Sequence, residues 1–211
     1  MALPYLSTAE AAERSGVSIR TIQRMIERGE LPAELVGNQL VIPIRELDAV
    51  FARMAQAPKV GRAAPQLKLD YWSAFATLLE WQGFQPKVKP QAEQWIAFGI
   101  ASNCRVAAHI RVNQGLIGVD LTLGSKAKQY YFDLEKQKSK IKEQIGRAIG
   151  EKNPGLEWFE RPNNAESWVL VRKDSDVTNR LLWSAQHYWL SERLRAFYDA
   201  FKPRLQELQK K

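Results

Sequence analysis

Ser18-Ile-Arg-Thr-Ile-Gln-Arg-Met-Ile-Glu-Arg28 is the stretch from which the rest of the chain is read. Ile19, Ile22 and Ile26 recur at the three- and four-residue spacing of a helix with one buried face. Arg20, Arg24 and Arg28 step four residues at a time and share another face, with Thr21 and Gln23 beside them. Ser18 is a good N-cap and Gly29 a good C-terminal stop, so both ends of the helix are written in the sequence. A helix this short is marginal alone and has to be held by neighbours. Arginine at this spacing suits phosphate oxygens and the guanine edge in the major groove. A solvated charged face is the ordinary alternative, and the flanking segments argue against it.

Upstream, Ser7-Thr-Ala-Glu10 has the form of a capping box, with Ser at the N-cap and Glu three positions on. It opens a helix through Arg14 that stops at Ser15-Gly16, so the two helices are joined by the tight turn of a helix-turn-helix. Downstream, Leu35-Val-Gly-Asn-Gln-Leu-Val-Ile42 predicts a small hairpin turning at Gly37-Asn38, residues that tolerate positive φ. Pro43 sits where a helix can start, with Ile44, Leu47 and Phe51 as its inward stripe.

The run from Tyr5 to about Arg53 resembles the excisionase and MerR-type winged helix-turn-helix family. The resemblance is carried by Leu6-Ser-Thr-Ala-Glu-Ala-Ala12, Gly16-Val-Ser-Ile-Arg-Thr-Ile22, Ile26-Glu-Arg-Gly-Glu-Leu-Pro32 and the wing Val36-Gly-Asn-Gln-Leu-Val-Ile-Pro43. It implies that the second helix enters the major groove of double-stranded DNA while the wing touches backbone or minor groove. Carried over by position, Ser18, Arg20, Thr21, Gln23 and Arg24 face DNA, with Asn38 and Gln39 at the wing tip. The family's wing tip often carries arginine; this one is uncharged. Arg20 or Arg24 can read guanine bidentately, at about 1–3 kcal/mol of discrimination each. Thr21, Ser18 and Arg28 are placed for phosphate, which positions without specifying.

Composition agrees with a polyanionic partner. The 211 residues carry a formal charge of +8 and are 45% hydrophobic, so a real core is feasible. No stretch approaches the roughly 20 apolar residues of a membrane span, and the start has neither the basic nor the apolar region of an export signal. Cys104 is the only cysteine, which rules out an intrachain disulfide and a multi-cysteine zinc site. The expectation is a cytoplasmic, nucleoid-associated protein without cofactor, metal or membrane partner.

Residues 55–66 mix Pro, Gly, Ala and basic residues without an apolar period, which reads as a linker. All seven tryptophans lie beyond it, and so does most of the charge: residues 1–66 hold 8 Lys+Arg against 7 Asp+Glu, the remainder 23 against 16. The second part is read as a helix from Leu67 to Trp81 with Tyr71, Phe75 and Leu78 inward and Gly83 as its stop. Strands follow over Gln94–Ile100 and Cys104–Val112, the latter alternating Cys104, Val106, Ala108, Ile110 with Arg105, Ala107, His109, Arg111. Asn113-Gln-Gly115 turns into a strand over Leu116–Leu123. A long polar helix from about Lys126 to Ala148, a hairpin of Leu156–Arg161 with Ser167–Lys173, and a last helix from about Val177 to Phe201 complete it. The last helix has Leu190, Leu194, Phe197 and Phe201 as its stripe and Pro203 as its end or kink.

Residues 70 to 208 resemble a bacterial family known as domain of unknown function 4268. The carriers are Asp70-Tyr-Trp72, Tyr131-Phe-Asp-Leu134, Leu156-Glu-Trp158, Trp189-Leu and Phe197-Tyr-Asp-Ala-Phe201-Lys-Pro-Arg204. The resemblance implies a restriction-like or mobile-element context and no defined activity.

The sequence carries none of the following catalytic patterns. A restriction-type nuclease needs a metal-binding Asp followed by Asp/Glu-x-Lys on the next strand; Asp120 sits on a strand, but the chain has no such triplet. Walker A, H-E-x-x-H and Gly-x-Ser-x-Gly patterns are absent too. His109 reads as a surface strand residue, His187 as a helix residue and Cys104 as a small core residue. Lys136, Lys138, Lys140 and Lys142 alternate along one helix and so wrap it, since every second residue turns about 200°. They are either a solvated surface or an auxiliary phosphate-contacting one.

The sequence therefore predicts an N-terminal all-α winged helix-turn-helix with a small hairpin wing (1–54), a linker (55–66) and an α+β domain with a largely antiparallel sheet (67–211). The expected function is sequence-specific binding of double-stranded DNA, as a transcriptional regulator or an excisionase-like factor of a mobile or defence element. Homodimerisation through the second domain is expected, because one small reading head gives modest affinity. A nucleic-acid-processing enzyme or its DNA-targeting subunit, and a protein-interaction adaptor, are the alternatives.

Overall fold

The computed structural model describes residues 5–27, 29–36, 39–56, 64–84, 87 and 89–210. The chain divides after Ala57 into two compact units.

The first unit runs β1 (Tyr5–Ser7), α1 (Thr8–Ser15), α2 (Ile19–Glu27), β2 (Glu34–Val36), β3 (Gln39–Pro43) and α3 (Ile44–Gln56). The capping box at the start of α1 is formed: the Glu10 backbone N–H donates to Ser7 Oγ at 3.3 Å, and Ser7 N–H donates to Glu10 Oε2 at 2.8 Å. Gly16, at φ 68°, ends the helix in the left-handed conformation that glycine adopts without a Cβ penalty. The hairpin of β2 and β3 forms with Leu35 opposite Leu40, and β1 adds a third antiparallel strand with Leu6 opposite Ile42. Strand β1 is absent from the sequence reading, because three residues are too short to show a period. The core is Ala11, Ala12, Ile22, Met25, Leu31, Ile42, Leu47 and Val50. Two expected core positions differ. Ile19 is 47% exposed, its place on the inner face taken by Met25. In α3 the buried pair is Leu47 and Val50, with Phe51 half-buried against them.

The second unit runs α4 (Ala64–Trp81), β4 (Trp95–Ala101), β5 (Cys104–Arg111), β6 (Leu116–Leu123), α5 (Tyr130–Glu135), α6 (Lys138–Ile149), β7 (Glu157–Phe159), β8 (Ser167–Asp174) and α7 (Trp183–Leu208). Its five strands form one antiparallel sheet in the order β4-β5-β6-β8-β7. Val106, Ala108 and Ile110 stand opposite Leu121, Val119 and Ile117 and share a face with Val169 and Val171. That face joins the core to which α7 contributes Leu190, Leu194, Phe197 and Phe201. Each such side chain, fully removed from water, contributes about 1.5–3 kcal/mol. Helix α4 lies alongside α7 in the same direction: Asp70 pairs with Arg180 at one end, and Arg195 donates to the Gln82 carbonyl at the other. Between them Tyr71 packs with Trp183 and His187 and Phe75 with His187, while Trp72 packs on Tyr71 and Phe75.

Three boundaries differ from the sequence reading. The helix expected over 126–148 is broken between Glu135 and Lys138, so Lys136 lies outside α6 and does not share a helix face with Lys140. Helix α7 begins at Trp183 and continues through Pro203 to Leu208, held across the proline by buried Phe201 and Leu205 on its inner side. The stretch read as linker is entered by helix from both sides, α3 reaching Gln56 and α4 starting at Ala64; 57–63 lie outside the described residues.

Candidate nucleic-acid interface

Helix α2 is fixed at both ends by its own backbone chemistry. Ser18 Oγ accepts from the Thr21 N–H at 3.2 Å and lies 2.9 Å from Thr21 Oγ1, so the two hydroxyls are spent partly on each other. At the far end Gly29, at φ 65°, donates to the Ile26 carbonyl and Glu30 to the Met25 carbonyl, at 2.9 and 2.8 Å. That pair of bonds is the Schellman stop, and it satisfies carbonyls that a helix end otherwise leaves open. Ile22 and Met25 seat the helix in the core. Helix α1 is tied to α3 by a two-pronged ion pair, Arg14 Nε and Nη2 to Asp48 at 2.9 and 2.8 Å. Hydrogen bonding to Arg14 holds the Asp48 carboxyl below its ordinary range. The pair is half exposed, and its role is to hold the orientation of the two helices that frame α2.

This seating leaves Ser18, Arg20, Thr21, Gln23 and Arg24 exposed on one continuous surface of α2. Gln39 is exposed at the start of β3; Arg28 and Asn38 lie outside the described residues. The wing presents apolar side chains beside its tip, Leu35, Val36 and Leu40 all being exposed. Glu27 is exposed on α2 as well, and so is Ile19, which the apolar spacing assigns to the buried face. Glu27 had a signal, since it falls four residues after Gln23.

In the second unit the four lysines are dispersed. Lys136 pairs with Asp133 at 2.9 Å, and Lys138 lies 5.6 Å over the Trp158 ring. Lys140 lines a shallow groove with Gln144 and Arg147, one helical turn apart in succession, while Lys142 is exposed elsewhere on α6.

The sheet face turned away from α7 carries a polar network that the sequence reading did not foresee. His109, expected at the surface, is buried, with Nδ1 3.0 Å from Asp120 Oδ2. Asp120 Oδ1 accepts from Thr122 Oγ1 at 2.8 Å, so both carboxylate oxygens are engaged. An ionised carboxylate only accepts, which places the proton on Nδ1. The imidazole lies against Gly118, its cross-strand partner. Next to it Arg172 Nε donates to Glu157 at 3.0 Å. Cys104 is buried as expected, and burial pushes its thiol up to about 11, which keeps it protonated and unreactive. Among the described residues no group of three or more His, Cys, Asp or Glu could hold a metal ion, and no helix is long and apolar enough to cross a membrane.

Residues 5–55 match the family model of a helix-turn-helix domain, and residues 67–205 match that of Domain of unknown function (DUF4268). No curated protein and no solved structure matches the chain.

Proposed function

Since the chain belongs to the DUF4268 family and carries a helix-turn-helix DNA-binding domain ahead of that region, we propose that it binds double-stranded DNA sequence-specifically, as a transcriptional regulator or excisionase-like factor. The observation that carries this reading is the surface of α2, where Arg20 and Arg24 stand exposed on a helix capped at both ends and seated by Ile22 and Met25. A preset helix brings its guanidinium groups to the groove without paying ordering entropy at the moment of contact. Arg20 and Arg24 read base edges; Ser18, Thr21, Arg28 and the wing residues Asn38 and Gln39 position the backbone. The second unit brings two heads together on one duplex, because one small head makes too few contacts for selective binding. Its role is binding rather than catalysis.

The test is fluorescence anisotropy on random and genomic-neighbourhood duplexes across a salt series, for wild type and Arg20→Ala/Arg24→Ala. Wild type is expected to prefer one duplex by at least tenfold, and the double variant to lose that preference. Equal binding of both proteins to every duplex would remove α2 as the reader. Sedimentation with and without DNA addresses pairing, and a monomer at micromolar concentration in both conditions would refute it.

A further inference from the structure

We propose that Ile19 is a specificity-determining residue of α2, packing on the C5-methyl group of a thymine in the major groove, with Gln23 beside it addressing an adenine edge. The proposal rests on the DNA-binding reading above and deepens it.

Ile19 is apolar, belongs by spacing to the buried stripe, and is nevertheless 47% exposed. Three-to-four spacing allows several inner faces. The core settles on Ile22, Met25 and Ile26, which leaves Ile19 at the rim of the helix. Its position is the first turn of α2, directly after the Ser18 cap. The N-terminal residues of a recognition helix are those that reach base edges. Four residues on, Gln23 shares the edge of the helix that Ile19 occupies and is exposed too. Arg20 and Arg24 form the adjoining edge in the same i, i+4 relation.

The chemistry of the groove assigns a partner to each edge. Thymine alone presents an apolar group there, its C5-methyl, and glutamine pairs bidentately with adenine N6 and N7. Arginine pairs with guanine O6 and N7. Two adjoining edges of opposite character predict a bound half-site in which G·C pairs lie under the arginines and A·T pairs under Ile19 and Gln23. An exposed isoleucine on a surface meant only for phosphates would contribute nothing there.

Duplexes preferred by the full-length protein are selected from a randomised pool. Each thymine of the winning site is then replaced singly by deoxyuridine, which removes only the methyl group. Anisotropy gives the affinity of wild type, Ile19→Ala and Ile19→Val for each duplex. At one thymine the deoxyuridine change is expected to weaken wild type about four-fold, the loss of one buried methyl. Ile19→Ala should bind the thymine duplex correspondingly less well and be indifferent to deoxyuridine at that position, whereas Ile19→Val should keep most of the sensitivity. A selected site at which every deoxyuridine effect is the same in wild type and Ile19→Ala overturns the inference and leaves the DNA-binding reading standing. A pool from which no sequence is enriched overturns both.

Discussion

Gly118→Ala tests whether the polar network on the open sheet face is built as described. A Cβ at this position would lie 2.4 Å from His109 Nε2, 2.6 Å from Cε1 and 2.7 Å from the Val171 carbonyl oxygen. The ring could swing away, but it would then leave Asp120; the Val171 carbonyl is backbone and cannot rotate aside. Overpacking a tight site costs about 1–3 kcal/mol. Depriving the buried imidazole of its carboxylate partner adds about 1–3 kcal/mol, so the expected destabilisation is about 2–6 kcal/mol. Urea unfolding followed by tryptophan fluorescence reports on the second unit alone, because all seven tryptophans lie between residues 72 and 189. Gly99→Ala on β4 is the control: an added Cβ there meets nothing within 4 Å. It should be neutral, or stabilising by up to about 1 kcal/mol through reduced chain entropy. In the His109→Ala background, Gly118→Ala should cost less than in wild type. A loss below about 1 kcal/mol for Gly118→Ala, or an undiminished loss without the imidazole, would refute this account of the network.

Burial lowers the His187 imidazole from its ordinary 6.5 to about 4, so between those values the unfolded chain binds a proton that the native one excludes. The stabilisation this gives is whole above pH 6.5 and lost as the pH falls toward 4; His187→Phe should flatten that limb of a urea-midpoint profile while changing little at pH 7. If the lysines of the second unit contact phosphate, replacing Lys136, Lys138, Lys140 and Lys142 by Gln should lower the slope of log affinity against log salt by about 0.9 per lost contact. An unchanged slope marks them as a solvated surface. Arg14→Ala should loosen α1 from α3 and weaken DNA binding without touching DNA, and its effect should be reproduced by Asp48→Ala in the same anisotropy assay.

Signals that depend on near neighbours in sequence were legible. The Ser7–Glu10 capping box, the Ser18 cap and the Gly29 stop each involve residues within about five positions, and their bonds form as the residue types dictate. The strand alternation of β5 named its inner residues correctly, because pleat geometry fixes which side chains share a face. What the alternation could not show is what lies on the other face. The alternation alone puts His109 on the wetted face, yet cross-strand register sets it on Gly118 and beside Asp120, a relation no local pattern encodes. Ile19 misled for a related reason. An apolar period marks a stripe but not its edge, and Met25 shifts the buried face away from Ile19. The break before Lys138 carries neither Gly nor Pro, so a continuous polar helix was the natural reading of that run.

The pairing of α4 with α7 bears on the order in which the molecule is completed during synthesis. Every described element of the first unit lies between Tyr5 and Gln56, so that head can close while the ribosome is still translating the second. Helix α4, by contrast, waits for a partner that emerges more than a hundred residues later: Asp70 meets Arg180, and the Gln82 carbonyl meets Arg195. Until then Tyr71 and Phe75 lack the rings of Trp183 and His187 against which they pack. A chain cut or stalled before Trp183 would therefore present a finished reading head on an unfinished body. Under the DNA-binding and pairing roles proposed above, such a fragment would occupy DNA without the means to pair, and would compete with intact copies for the same sites.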